Sequence, residues 1–496
     1  MRHLSISILL LTVAILSAPA QDVPYVAEQL CCLLEGGEDI EQVNERWGTT
    51  TLHSVTGEDF YLLKAVGIAD LPEFAALMTT DPAVHIAEPN YVIESPEAVR
   101  QMVIAAIGGT WDDFADQTAM QRIALDEAHQ VSRGTGVTIA VLDTGIDFDH
   151  PALAGHIGDW SYDYVDEDQD PSESANGLDD DEDGTTDEGY GHGTMVAGLI
   201  ALIAPEAEIM PLRVLNDEGL GTIFDVARAM THATAHGAQI LNMSFGAPQH
   251  MQTIYQRFHV TEAHGGTCIC GAGNRDVELP ALYPAIDPRA IMVTGLDSAD
   301  VKADFADYHT HVLVAAPGVG IRSAYPGDEW ALGSGCSFAT PIIAGAAGLI
   351  LSLGEDMETE DLRARLHQGV DPIYGIPENQ PYLNRLGGGR INLVAALSGG
   401  AQASVDPVDG HLGLRIWPNP SAGGVHFSIP SIAGGSAEVA ILDATGRSVS
   451  RIPVSPGQVA TWDGRLSNGT YAPTGIYWAR MRAGRSRDTS MLTLIR

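Results

Sequence analysis

Three short segments carry side chains that could do chemistry together: Ile139-Ala-Val-Leu-Asp-Thr-Gly-Ile-Asp147, Gly191-His-Gly-Thr-Met-Val-Ala-Gly198 and Gly335-Cys-Ser-Phe-Ala-Thr-Pro341. They supply Asp143, His192 and Ser337 in that order, one of three unrelated chain orders in which a Ser-His-Asp triad is built. A serine hydroxyl is a weak nucleophile near neutrality and needs a base within hydrogen-bond reach. His192 would take its proton and return it to a leaving amine. Asp143 would bond the other ring nitrogen, fixing the tautomer and stabilising the imidazolium. Local sequence suits each role. Asp143 ends an apolar strand, and Gly145 permits a sharp turn after it. His192 opens a helix, and Gly193 leaves room for substrate backbone. Ser337 also stands at a helix start, where unpaired N–H groups and the helix dipole favour negative charge.

The elements that must position these groups are legible as a pattern. From about 118 to 398, apolar strands alternate with helical segments, as expected for a parallel sheet flanked by helices on both faces, an α/β fold. Strands are expected at Val137–Leu142, Ile209–Val214, Ile240–Met243, Thr267–Ala272 and Ile291–Thr294. Helices are expected from His192 to Ile203, Ile223 to His236 and Ser337 to Leu353. Residues 23 to about 96 read as a small α+β unit. Its strand-like runs at Tyr25–Leu30, Phe60–Val66 and Val84–Ile93 bracket helices near Asp39–Trp47 and Leu71–Met78.

These catalytic segments resemble those of the subtilisin-like serine peptidases, the subtilases. The resemblance implies a subtilisin-like fold and hydrolysis of peptide bonds through an acyl-enzyme. It implies that Asn274, in Gly271-Ala-Gly-Asn274, supplies the side-chain donor of the oxyanion hole. It also implies that Ser244-Phe245-Gly246 forms the substrate-binding edge, with Ala272 and Gly273 walling the pocket for the residue before the cut. Leu282 lies at the pocket floor, where many relatives carry a smaller or polar residue, so the expected preference is for medium hydrophobic side chains. Asp81-Pro-Ala-Val-His-Ile-Ala-Glu-Pro-Asn90 resembles the end of subtilase propeptides, which help the peptidase fold and then block its cleft. The chain departs from the family at Cys336, Phe338 and Thr340, where Thr, Met and Ser are usual, and at Met195, where a second His is usual. None of these changes removes a proton donor or acceptor from the triad.

Between Asp143 and His192 lies an acidic insert. Within it Asp179, Asp181, Asp183 and Gly184 match D-x-D-x-D-G, with Asp187 following. Hard oxygen donors around a Gly turn suit a structural Ca²⁺. The competing reading is a solvated acidic loop. No catalytic cofactor is expected.

Sixty-five acidic residues against 26 basic ones give a formal net charge of -39. That balance excludes nucleic-acid and anionic-membrane partners, which need basic patches. Residues 1–20 read as a secretory signal peptide: Arg2 and His3, an apolar run from Leu4 to Leu16, then Ala18-Pro-Ala20. No other run is long enough to span a membrane. Five cysteines give no disulfide framework, and buried, inert thiols are expected.

The expected organisation is then a signal peptide (1–20), an inhibitor-like propeptide and junction (21–117), a peptidase domain (118–398), a linker (399–412) and a β-sandwich (413–496). Trp417-Pro-Asn-Pro420, Asp443-Ala-Thr-Gly446, Trp462-Asp-Gly464 and Gly475-Ile-Tyr477 resemble the C-terminal sorting domain of the type IX secretion system. That resemblance implies bacterial secretion machinery as a partner, beside protein or peptide substrates and the chain's own propeptide, and a secreted or cell-surface location. Two rivals stand beside this reading: a secreted binding or adhesion protein on an inactive scaffold, and a processing peptidase of narrow specificity.

Overall fold

The computed structural model describes residues 24–95, 108–179, 184–279, 281–354 and 357–399, and most strands of the C-terminal part between 415 and 494. The expected signal peptide, nearly all of the expected linker, and Asp181 and Asp183 lie outside the described residues.

The centre of the chain builds a nine-stranded sheet. Its order from one edge is Val370–Asp371, Arg390–Ile391, Val312–Pro317, Ile291–Leu296, Thr267–Gly271, Ile240–Met243, Thr138–Asp143, Glu208–Arg213 and Tyr162–Asp163. All neighbours are parallel except the first pair. The five inner strands that begin at 138, 208, 240, 267 and 291 read as near-continuous apolar runs because both faces are covered, and they are buried almost throughout. Strand Thr138–Asp143 pairs with Glu208–Arg213 on one side and Ile240–Met243 on the other. The chain therefore reverses its winding direction there. In open α/β sheets, such a reversal leaves a crevice at the carboxyl ends of the strands, and Asp143 is the last residue of its strand.

Two helices cover one face, His192–Ile203 and Cys336–Leu351, and both belong to the largest apolar cluster. They cross in close contact: a side-chain carbon on Gly345 would stand 2.5 Å from Cβ of Ile203. The helices that carry His192 and Ser337 are thus held against each other as one layer. Helices Ile223–Ala235 and Gln252–Ala263 cover the opposite face.

The N-terminal unit has strands Tyr25–Leu34, Thr50–Ser54, Phe60–Lys64 and Val84–Glu94, with helices Ile40–Trp47 and Leu71–Met78. Asp39 and Asp70 cap the two helices, each accepting a backbone N–H, and Gly48 ends the first in the left-handed region at φ 67. Leu30, Val43, Leu63, Leu71, Met78 and Val84 make its core. Its last strand does not stop at the unit's edge. It pairs with Leu220–Thr222 of the central unit, in the order 50–54, 60–64, 25–34, 84–94, 220–222.

Residues from Gly108 onward pack on the central unit. Gly108 donates to the carbonyl of Trp330 at 2.7 Å, and Phe114 is fully buried with its ring 4.9 Å from that of Trp330. The expected domain boundary at 118 therefore falls inside a segment already fastened to the central core.

In the C-terminal part, Arg415–Trp417, Val425–Ser428 and Val459–Trp462 form one antiparallel sheet. Ser448–Val454, Ala437–Leu442, Gly475–Ala483 and Ser486–Leu494 form another. Val425, Phe427, Ile441, Trp462, Tyr477 and Leu494 share one apolar cluster. Among the described residues, no helix is long and apolar enough to cross a membrane.

Candidate active site

Asp143 and His192 meet at the carboxyl edge of the sheet. His192 Nδ1 and Asp143 Oδ1 are 2.6 Å apart, and both side chains are buried. The same carboxyl oxygen accepts the N–H of Thr144 at 2.9 Å. Two glycines bring strand end and helix start this close. Gly145 turns at φ 103, and a side-chain carbon on Gly193 would stand 2.0 Å from the carbonyl oxygen of Gly145.

Ser337 is the second residue of its helix and is fully buried. Its Oγ donates to the carbonyl of Ser244 at 3.3 Å. The ring of the next residue, Phe338, lies 5.8 Å from the His192 ring. Asn274 turns its Oδ1 to the N–H of Cys336 at 2.8 Å, which directs the amide nitrogen the other way. The Cys336 thiol donates to the carbonyl of Gly273 at 3.1 Å. All five cysteines are buried free thiols, and burial pushes those of Cys268 and Cys270 up.

The expected substrate edge is occupied. Glu94 and Gly246 exchange both backbone bonds, at 2.9 and 3.3 Å. On the opposite side, Val92–Glu94 pairs with Leu220–Thr222, and Ser95 donates to the carbonyl of Gly219 at 2.9 Å. Residues 92–95 thus run as the middle strand between two edges of the central unit. Leu282 is buried between two glycines: it would stand 3.0 Å from a side-chain carbon on Gly246 and 2.7 Å from one on Gly273. Ala272 and the Phe245 side chain belong to the core cluster beneath the sheet. Phe245 therefore offers the edge its backbone alone, its ring being packed in that core.

Further contacts fasten the N-terminal unit. Glu88 accepts the N–H groups of Gln252 and Thr253 at 3.0 and 2.5 Å, at the start of helix Gln252–Ala263. Asn90 accepts the N–H of Phe224 at 3.1 Å, at the start of helix Ile223–Ala235. Arg257 pairs with Glu58 at 2.6 Å and lies over the Phe60 ring. Each helix start has spare N–H groups, and an oxygen from the other unit satisfies them.

Glu173 has no place in the sequence reading, yet it ties the Asp143 turn to the His192 helix. Its carboxylate accepts the hydroxyls of Thr144 and Thr194 and the N–H groups of Gly191, Gly193 and Thr194. Burial raises its pKa to about 7, with the nearby Asp143 charge adding to the rise and the bonds from Thr144 and Thr194 opposing it. Glu173 stands among many other acids in the insert, so its type and spacing carried no signal.

Of the expected calcium ligands, Asp179 and Asp187 are among the described residues. Asp179 accepts the N–H of Gly184 at 3.0 Å, while Asp187 accepts those of Asn176 and Gly177. No group of three or more metal-ligating side chains occurs among the described residues. Earlier in the insert, Arg213 neutralises Asp163 and Asp166 at 2.7 and 2.6 Å. Among the described residues, Asp179 and Asp187 thus accept backbone N–H groups, and Asp163 and Asp166 pair with Arg213.

The model of the subtilase family matches residues 134–387. Thermitase of Thermoactinomyces vulgaris is 35% identical over 270 residues, covering 52% of this chain and 90% of that protein. A thermophilic serine proteinase of Bacillus sp. (strain AK1) is 32% identical over 332 residues, 65% of this chain and 74% of that protein. Among solved structures, fervidolysin from Fervidobacterium pennivorans, a keratinolytic enzyme related to subtilisin, aligns with a TM-score of 0.62 at 20% identity. That alignment covers 93% of this chain and 71% of that chain, a likeness of fold.

Proposed function

The chain belongs to the subtilase family and is a subtilisin-like serine endopeptidase. From that premise we propose that it cuts with an Asp143-His192-Ser337 triad and is made as a zymogen shut by its own N-terminal unit. One arrangement carries the reading: the 2.6 Å Asp143–His192 bond stands at the cleft whose edge, Gly246, is already paired with Glu94.

In the proposed reaction the Ser337 oxygen attacks the substrate carbonyl while its proton passes to His192. Asp143 keeps the ring oriented and balances the imidazolium. The oxyanion is met by the Ser337 N–H and the Asn274 amide. His192 then protonates the leaving amine, and the C–N bond breaks to leave an acyl-enzyme. Water, deprotonated by His192, releases the acid and restores Ser337. Extended substrate would lie where residues 92–95 now run, paired on both sides. Its side chain before the cut would enter against Leu282.

Residues 92–95 block those pairing positions, so the zymogen reading requires a cut. Ser95 is bonded in the cleft and Gly108 is bonded to Trp330. The proposed cut falls between them. On mixing full-length chain with a fluorogenic peptide, hydrolysis should show a lag that ends as an N-terminal fragment is released by mass. Immediate full-rate hydrolysis by uncut chain would remove the zymogen reading.

Structural calcium is proposed from the D-x-D-x-D-G pattern. Chelation should then lower the melting temperature, and added Ca²⁺ should restore it; an unchanged melting temperature would leave a solvated acidic loop. The signal-like first residues and the sorting-domain phrases support export to the cell surface or beyond.

A further inference from the structure

We propose that Asp307 is a positioning residue for the oxyanion donor, acting through the backbone on either side of Asn274. Asp307 donates its N–H to the carbonyl of Gly273 at 2.9 Å. Its Oδ1 accepts the N–H of Arg275 at 2.8 Å and that of Val277 at 3.1 Å. The residues before and after Asn274 are therefore bonded to one side chain and its own backbone. Oδ2 takes the Arg275 guanidinium, Nε at 3.1 Å and Nη2 at 2.9 Å.

The support is itself anchored. Asp307 is buried, and its carbonyl accepts the Thr294 hydroxyl at 2.7 Å, which fixes it to strand Ile291–Leu296. Contact is close enough to demand glycine at 273: φ there is 114, and a side-chain carbon would stand 2.5 Å from Asp307 Oδ2. On the other flank, Cys336 bonds Gly273 through its thiol and Asn274 through its N–H. Asn274 is thus held between the start of the Ser337 helix and Asp307. Its amide can aim only where these two supports leave it.

A carboxylate is needed because four donors converge on it, two backbone N–H groups and two from the guanidinium. In Asp307→Asn one oxygen becomes an NH₂ group, which cannot accept and faces either Arg275 or the two N–H groups. A preorganised oxyanion donor is worth its place only when correctly aimed. A displacement of about 1 Å costs on the order of 10²-fold in rate. The inference rests on Asn274 being that donor.

The test compares Asp307→Asn, Asn274→Ala and the double variant in the full chain after maturation. Asp307→Asn should lower kcat by about 10–100-fold and leave KM within about twofold, the signature of lost transition-state interactions. A peptide boronate, whose tetrahedral adduct uses the oxyanion donors, should weaken by a similar factor, while a product-like peptide should bind as before. In the Asn274→Ala background, Asp307→Asn should add nothing, since residues acting as one unit are not additive. An additive loss, a raised KM with kcat unchanged, or full activity in Asp307→Asn would overturn the proposal. If Asn274→Ala itself kept full kcat, the donor assignment would fail instead. Should Asp307→Asn not fold, Arg275→Met keeps both backbone bonds and removes only the ion pair. It should show a smaller loss, again in kcat and absent in the Asn274→Ala background, and the same contrary outcomes apply.

Discussion

Ser337→Ala is expected to lower kcat by about 10⁶-fold, the size known for loss of the triad serine in subtilisin. The variant should keep its fold. Ser337 Oγ makes a 3.3 Å bond to the Ser244 carbonyl, and the helix below it is held by apolar contacts along Cys336–Leu351. A single neutral hydrogen bond contributes about 0.5–1.5 kcal/mol, so the melting temperature should fall by a few degrees at most. KM should stay close to that of the wild type, because the pairing edges at Gly219, Leu220–Thr222 and Gly246 involve backbone. Residual catalysis of about 10³–10⁴-fold over water should remain, from binding and the oxyanion donors alone. Full-length Ser337→Ala should also persist uncut under conditions where the wild type is expected to shed its N-terminal fragment. If the variant matured and hydrolysed casein at even a tenth of the wild-type rate, another nucleophile would be at work.

Much of the central fold was legible because its strands are short and buried on both faces. Ile240–Met243 and the helix His192–Ile203 lie where the apolar pattern put them. Each is mainly apolar, with Asn242 the polar residue of the strand and His192 and Thr194 those of the helix. Asp143 and His192 were readable for a related reason: each closes or opens such an element, so local pattern sets its place. What stayed hidden depends on partners far away in sequence. Leu220–Thr222 has three residues and becomes a strand by pairing with Val92–Glu94. Helix Gln252–Ala263 is largely polar, and it starts where Glu88 of the other unit supplies its first oxygens. Glu173 and Asp307 work by gathering backbone N–H groups that only the tertiary fold assembles. In the expected edge Ser244-Phe245-Gly246, pattern alone did not separate what the backbone offers from where the Phe245 ring goes. The fold buries that ring in the core cluster and leaves the backbone of Gly246 at the edge.

The same separation of backbone from side chain governs the second large effect. Asn274→Ala is expected to reduce kcat by about 10²–10³-fold with KM little changed, the size known for the corresponding donor in subtilisin. In the proposed mechanism the amide nitrogen would be lost from the developing oxyanion, whereas bound substrate would be held mainly by pairing at the edges. A second, smaller loss should appear in stability. Cys336 N–H would lose its 2.8 Å acceptor, and an unsatisfied buried donor costs about 1–3 kcal/mol. Asn274→Asp separates the two contributions. Aspartate keeps an oxygen for Cys336 but turns an acceptor with negative charge toward the oxyanion. It should therefore retain more stability than Asn274→Ala and yet be slower, because like charges oppose each other in a site shielded from water. Steady-state kinetics and melting curves on the three proteins check both orders. If Asn274→Asp were as fast as the wild type, or if Asn274→Ala raised KM and spared kcat, the amide would be holding substrate and not its transition state.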